Sequence, residues 1–252
     1  SGPIRAGYDL PFAYRQGDIN QPCIGAGTGL SDLLRLVLDY RGHIVWRMNA
    51  GMGDTIFTPL YEVLRARGVK FEFFQRVTGL HLSADGQEIE RIDVEQQATV
   101  KDGVEYQPLV TVQGLPCWPS EPLYEQLEDG QVLQQLHEQY QSDPESSWFP
   151  LPESVRKPAT LLKGQDFDGV VLGISIGALP DICSELIAAS ADWRQMIAAV
   201  ETVRTQAFQL WLQPSLAKLG WTVPGPPPVL GAYVEPLDTW ADMSHLIERE
   251  SW

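Results

Sequence analysis

The spacing of apolar residues predicts two helices in the first third of the chain. Residues 30–40 place leucine and valine side chains three and four positions apart, and residues 55–66 repeat that period after a glycine turn. We expect Asp54 to cap the second helix and Gly68 to end it, because a left-handed residue commonly follows a helix. The expected inner face of this second helix consists of Ile56, Leu60, Val63 and Leu64.

The pattern then changes to the two-residue period of β-strands. Alternation of apolar and polar side chains covers residues 69–73, 77–82, 89–94 and 109–112. Asp85 and Gly86 provide a turn signal between the second and third of these stretches. Because the connections are short, the pattern predicts antiparallel strands, since parallel strands need long crossovers.

The second half of the chain predicts further helices and two strands. Helical periodicity covers residues 123–140, with a break near Asp129 and Gly130, and then residues 180–189 and 192–200. Strands are expected at residues 167–174 and 206–212. The first of them is predominantly apolar, as strands covered on both faces of a parallel sheet are, so we expect it to be buried.

A strand followed by a helix in both halves, with antiparallel strands between, predicts a mixed α/β (α+β) fold. We expect an irregular arm over residues 1–29, a central domain over 30–220, and a proline-rich linker and tail over 221–252. Within the central domain, the stretches near 69–82 and 167–174 are expected to belong to the same sheet.

The composition narrows the class of protein. The chain has 252 residues, 44% of them hydrophobic, so it can bury a sizeable core. Its 18 basic and 33 acidic residues give a net charge of −15, which disfavours nucleic acid and anionic membranes as partners. No apolar run reaches the roughly 18 residues of a membrane helix. Three dispersed cysteines predict reduced thiols and a cytoplasmic protein.

Residues 173–177 match the G-x-S-x-G pattern of serine hydrolases, with Ser175 as the candidate nucleophile. A strand is expected before it and a helix after it, and Asp238 or Asp242 and then His245 follow in the required order. Against this assignment, no strand signal separates the acid from the histidine, and no HGGG-type oxyanion loop occurs. A serine hydrolase built on Ser175 therefore stays as an alternative.

The remaining motifs point to no dinucleotide loop and no metal centre. Residues 25–29 are glycine-rich, but no strand signal precedes them and Leu30 stands where the last glycine of G-x-G-x-x-G belongs. The four histidines are scattered and no H-E-x-x-H pair occurs. We therefore predict no metal site.

Two stretches, taken together, resemble the FAD-dependent amine oxidases and the related carotenoid (phytoene) desaturase-like flavin oxidoreductases. The first runs through residues 48–53 (MNAGMG), 57–64 and 67–80. It is similar to the glycine turn, helix and valine-bearing strand of that family. The second covers residues 167–175 (FDGVVLGIS) and 177–180 (GALP), and is similar to the family's apolar strand and the turn after it.

The resemblance implies a protein in which both stretches lie beside FAD. The residue matching Val77 holds the adenine through backbone groups, and the stretch matching Ile174, Ser175 and Ile176 lies next to the dinucleotide. One part of the fold is then a portion of a flavin-binding sheet. The antiparallel strands near 89–112 and the later helices form the substrate region, and the implied substrate is a small amine or an apolar molecule.

The sequence departs from the family at both ends of the cofactor site. These 252 residues contain neither a strand leading into G-x-G-x-x-G nor a glycine turn opening a last helix, and Ser175 stands where the family has proline. We therefore expect the central portion of a longer oxidoreductase, inactive by itself, and assign no catalytic residue. A further alternative is a non-catalytic module whose tryptophans, such as Trp240 and Trp252, bind a protein partner.

Overall fold

The protein is described here by a computed structural model. The described residues are 8, 13–42, 46, 48–102, 105–203, 205–225, 228–231, 237 and 239–247. The chain divides into two compact units, a central unit (Met52–Val200) and a terminal unit (Ser1–Gly51 with Glu201–Trp252). Each unit is described by itself below.

Helices and antiparallel sheets together confirm the mixed α/β fold expected from the sequence. The helices are α1 (Ala26–Leu34), α2 (Thr58–Ala66), α3 (Gly130–Tyr140), α4 (Leu179–Ile182), α5 (Ser184–Ala189) and α6 (Ala191–Ala199). The strands are β1 (Gln75–Leu82), β2 (Ile89–Gln96), β3 (Val110–Val112), β4 (Leu115–Cys117), β5 (Lys157–Leu162), β6 (Val229–Gly231) and β7 (Thr239–Ala241). None of the described helices combines the length and the apolar character that crossing a bilayer requires.

A three-stranded antiparallel sheet with the order β1-β2-β5 forms the centre of the central unit. β2 pairs antiparallel with β1 along its length, which confirms the antiparallel strands expected at residues 77–82 and 89–94. β3 and β4 form a separate two-stranded hairpin in the same unit.

One β-bulge sets which side chains of β1 share a face. Val77 pairs with Val94 and Gly79 pairs with Asp93, so Thr78 is an extra residue on β1. Residues three apart normally point to opposite faces of a strand. Because of the extra residue, Val77 and Leu80 both pack against the same hydrophobic cluster.

Two hydrophobic cores stabilise the central unit. The first core joins the segments around α3 and the loop before β5, and consists of Ala98, Tyr106, Tyr124, Leu127, Leu133, Phe149, Leu151 and Val155. The second core lies between β1 and the helices α4 and α5, and consists of Leu80, Leu179, Ile182, Cys183 and Leu186. The break expected at Asp129 is confirmed, since α3 begins at Gly130 after a short 3₁₀ turn.

The second predicted helix is present, but its buried face differs from the expectation. A π-helical turn (Gly53–Phe57) leads into α2, and Gly68 follows the helix in the left-handed conformation with φ +88°. Thr58 and Tyr61 are the buried residues of α2, while the predicted inner face of Ile56, Leu60, Val63 and Leu64 is exposed. The buried face of the helix is the one that carries Tyr61, because the Tyr61 ring packs edge-on against Phe71 and Trp118.

Asp54 does not cap α2 as the sequence predicts. It lies inside the π-helical turn, and its carboxylate accepts a hydrogen bond from the backbone N–H of Trp118 at 2.9 Å. The hydroxyl of Thr58 instead donates to the carbonyl oxygen of Gly53 at 3.1 Å. Asp54 therefore connects the start of α2 to the chain that leaves the β3–β4 hairpin.

The strands predicted at residues 69–73 and 206–212 are not formed. Residues 69–73 alternate as expected but lie outside any strand, and β1 begins only after Phe74, whose φ of +59° interrupts extended pairing. Residues 206–212 also lie outside any strand. In that stretch Phe208 packs edge-on against Trp240 at 5.4 Å between ring centroids, so side-chain contact replaces strand pairing.

The terminal unit contains α1 and the β6–β7 hairpin. The helix predicted over residues 30–40 is confirmed, although it starts earlier, at Ala26, and ends in a π-helical turn (Arg35–Asp39). The glycines of residues 25–29 thus lie at the start of this helix, which shortens the expected irregular arm. The three cysteines all lie in the described part of the chain, and no disulfide joins them.

Val155 and Val171 provide a matched test of the first core. Val155 is 1% exposed and Val171 is 99% exposed, so the same Val→Ala change removes methyl groups from a core and from solvent. We expect Val155→Ala to lower the free energy of unfolding by about 2 kcal/mol, and Val171→Ala to change it by less than about 0.5 kcal/mol. Urea unfolding followed by circular dichroism measures both. Equal effects of the two substitutions would contradict the core assignment.

Candidate functional site

Two stretches that are distant in sequence meet at the second core. Val77 of β1 packs against this core. Leu172 and Ile176, which come much later in the sequence of the unit, pack against it as well. Val77 and Ile176, both singled out from the sequence, therefore pack against one hydrophobic cluster. Ile174, also singled out, belongs to the same segment as Ile176. The strand β1 and the segment after residue 167 are positioned by the same helices, α4 and α5.

The segment 168–175 is not the buried strand that its composition predicts. Within the described residues it makes no strand pairing, and only Phe167 forms an isolated bridge, to Lys163. Val171 is almost fully exposed, and Val170 and Ile174 are more than one third exposed. The prediction fails because an apolar sequence becomes a buried strand only where neighbouring strands pair with it, and none of the described strands pairs with this segment.

The outer edge of β1 carries unpaired backbone groups. β1 is an edge strand of its sheet, with β2 on its inner side. The N–H of Ser83 donates inward to Glu88 at 2.9 Å, and because successive N–H groups of a strand alternate in direction, that of Leu82 points outward. This N–H donates to the Glu185 carboxylate at 2.8 Å. Glu185 thus closes the outer edge of β1 at Leu82, while the described strands leave the part around Val77 unpaired.

Glu185 is held in place by a histidine. Its second carboxylate oxygen lies 2.7 Å from Nδ1 of His81, and Nε2 of His81 lies 2.8 Å from the carboxylate of Asp93. The hydrogen bond from His81 is the main cause that holds the pKa of Glu185 below its usual range, and the N–H of Leu82 acts in the same direction. No local sequence pattern points to this cluster, because its members come from β1, β2 and α5.

Ser175 lacks the geometry of a nucleophile elbow. An elbow places its serine on a strained turn between a strand and a helix. Here Ser175 has φ −54° and ψ 139°, an unstrained extended conformation, and it precedes the 3₁₀ turn Ile176–Ala178 without a strand before it. Its hydroxyl makes no hydrogen bond to any described residue.

The other members of the suggested triad are engaged elsewhere in the terminal unit. Nε2 of His245 lies 3.0 Å from the carbonyl oxygen of Met48, and its Nδ1 is buried without a hydrogen-bond partner among the described residues. Asp242 accepts hydrogen bonds from the backbone and the hydroxyl of Ser244. Asp238 lies outside the described residues, as does Trp252 of the suggested protein-binding surface.

The sequence reasoning missed a cavity at the start of β1. This cavity has a volume of about 660 Å³, and its lining includes the aromatic residues Tyr61, Phe71, Phe73 and Tyr106. Arg65 and Glu105 also line it, and they form an ion pair at 3.0 Å. The aromatic-rich stretch 71–74 is the available signal, but its alternation predicts a strand and not a cavity.

Comparison with known proteins adds no relative to these observations. No protein-family model, no curated protein and no solved structure matches the chain. In the described part of the chain, no group of three or more histidine, cysteine, aspartate or glutamate residues is arranged to hold a metal ion. A function must therefore be argued from the geometry of the central unit.

Gly79 and Gly169 test whether close packing holds His81 against Asp93. A methyl group at Gly79 would lie 2.9 Å from Nε2 of His81, whereas one at Gly169 would meet nothing within 4 Å. We expect Gly79→Ala to displace the ring from Asp93 and to lower the free energy of unfolding by about 1 kcal/mol, and Gly169→Ala to have little effect. Thermal unfolding of both variants measures the difference. A neutral Gly79→Ala would show that the ring can move without loss.

The serine-hydrolase alternative has its own test. Because Ser175 has no activating partner among the described residues, we expect a fluorophosphonate probe to label the protein no more than it labels Ser175→Ala. Gel fluorescence after labelling measures this, with Ser190→Ala as the control serine. Strong labelling of the wild type that is lost only in Ser175→Ala would contradict the expectation.

Proposed function

We propose that the central unit supplies the adenine-side contact surface for FAD in an amine-oxidase-like flavin oxidoreductase. The observation that carries the proposal is the meeting of β1 and the segment 168–176 at the second core. From the family resemblance, we expect these two stretches to lie side by side against a dinucleotide. Nothing in their local sequence requires that arrangement, since long loops, a hairpin and a helix separate them.

The chemistry of the β1 edge suits an adenine. An edge strand presents backbone N–H donors and C=O acceptors in alternation, and adenine carries a donor amino group beside ring-nitrogen acceptors. The unpaired part of the outer edge includes Val77, and Glu185 ends it at Leu82. A base bound there would be recognised by backbone groups, so the identity of the Val77 side chain would matter less than its place on the strand.

The segment 168–175 supports the same proposal through its apolar character. It carries apolar side chains on both faces, and Leu172 covers the second core while Val171 faces solvent. Exposed apolar side chains of this kind suit contact with a bound molecule. The proposal therefore assigns this segment to the surface that contacts the cofactor.

The aromatic cavity is proposed as part of the substrate region. Aromatic ring faces attract cations and contact apolar groups equally well, so this lining suits an amine or an apolar substrate. Bound FAD would supply the hydride acceptor for oxidation of an amine or of a saturated carbon–carbon unit. The chain's own residues would contribute orientation of the base and exclusion of water. No pyrophosphate loop occurs in the sequence, so the proposal concerns cofactor contact and not turnover by this chain alone.

Nuclear magnetic resonance of the 252-residue chain tests the proposal. We expect FAD and ADP to shift the backbone amide signals of β1 around Val77 and those of residues 174–176, and FMN, which lacks adenine, to leave them unchanged. The opposite edge of the same sheet, β5, is the internal control, because it is also an edge strand. Equal shifts at β5, equal shifts with FMN, or no shifts with FAD would each overturn the proposal.

A further inference from the structure

His81 bridges two carboxylates with its two ring nitrogens. Nδ1 lies 2.7 Å from Glu185 and Nε2 lies 2.8 Å from Asp93, so both distances are those of charge-assisted hydrogen bonds. The ring thereby connects β1 with β2 on one side and with α5 on the other. Its side chain is 27% exposed, so water can exchange protons with it.

The hydrogen-bonding capacity of the ring limits how many of the two contacts it can make. An ionised carboxylate can only accept hydrogen bonds, and a neutral imidazole carries only one N–H. Hydrogen bonds to two ionised carboxylates at once therefore need the imidazolium, with a proton on each nitrogen. After loss of one proton, the ring can keep either the bond to Glu185 or the bond to Asp93, but not both.

The charges around the ring are balanced only when it is protonated. From β2, Asp93 and Arg91 face it, and Arg91 lies 3.3 Å from Asp93; from α5, Glu185 faces it. From β5, the uncharged hydroxyl of Thr160 contacts Asp93 at 3.2 Å. With the imidazolium, two positive groups oppose two carboxylates, and the neutral ring leaves one carboxylate without its counter-charge.

We propose that Asp93, His81 and Glu185 form a proton-dependent clamp that holds α5 against β1 and closes the outer edge of β1 at Leu82. The carboxylate of Glu185 is the shared element, because one oxygen binds the ring and the other accepts the N–H of Leu82. Loss of the ring proton weakens the hold on Glu185 and so frees the N–H of Leu82. The clamp does not depend on the flavin proposal.

The clamp has an acid limit as well as an alkaline one. The pKa of Glu185 is lowered in the folded protein. Its stabilising contribution is therefore complete above the ordinary pKa of a glutamate and is lost as the pH falls through the folded value.

Amide hydrogen exchange at Leu82 tests the clamp in the full chain. After correction for the intrinsic pH dependence of exchange, we expect the protection of Leu82 to be about tenfold higher at about pH 6 than at about pH 9. In His81→Gln both donors sit on one nitrogen and the other end of the amide is an acceptor, so the side chain cannot bridge two carboxylates. This variant is expected to show the lower protection at both pH values. His137→Gln is the matched control, because His137 is similarly exposed and also lies near a glutamate.

Asp93→Asn makes the test independent of a general loss of stability. The asparagine amide can donate to the unprotonated nitrogen of a neutral ring, which leaves the other ring N–H for Glu185. We therefore expect this variant to keep the protection of Leu82 at about pH 9. The proposal is overturned if wild-type protection is the same at both pH values, if His81→Gln matches the wild type at about pH 6, or if Asp93→Asn loses protection on the same rise in pH as the wild type.

Discussion

The packing of β1 against α4 and α5 is the contact on which the organisation of the central unit depends. The bulge at Thr78 brings Val77 and Leu80 onto one face, so that a single strand can cover the second core along most of its length. The same core receives Leu172 and Ile176. Without the extra residue, the two ends of β1 would face opposite sides of the sheet, and the segment after residue 167 would have no shared surface with Val77.

The outer edge of β1 is occupied by a side chain at one end. Edge strands expose donors and acceptors that other chains can pair with. On β1, a glutamate from α5 occupies the last outward N–H, and a histidine with two carboxylate contacts holds that glutamate. The remainder of the β1 edge is where the flavin proposal places an adenine. The hydrogen bond from Leu82 to Glu185 thus marks where the unpaired part of the β1 edge ends.

Exposed apolar side chains occur on the segment 168–175 and on the predicted inner face of α2. They are valine, isoleucine and leucine side chains that the described residues leave exposed. Exposed apolar surface of this kind commonly marks an interaction site. α2 packs instead through Tyr61, whose ring contacts Phe71 and also lines the aromatic cavity.

Local sequence signals determined where helices and turns lie. The period of α2 and α3, the glycine after α2 and the turn at Gly86 all depend on residues within a few positions of each other. The family resemblance also predicts that the segment around Val77 and residues 174–176 lie next to each other. Only the tertiary structure decided that Tyr61 and not Leu60 faces inward, that residues 168–175 stay unpaired, and that His81 meets Glu185. Burial and pairing depend on partners about a hundred residues away, and periodicity carries no information about such partners.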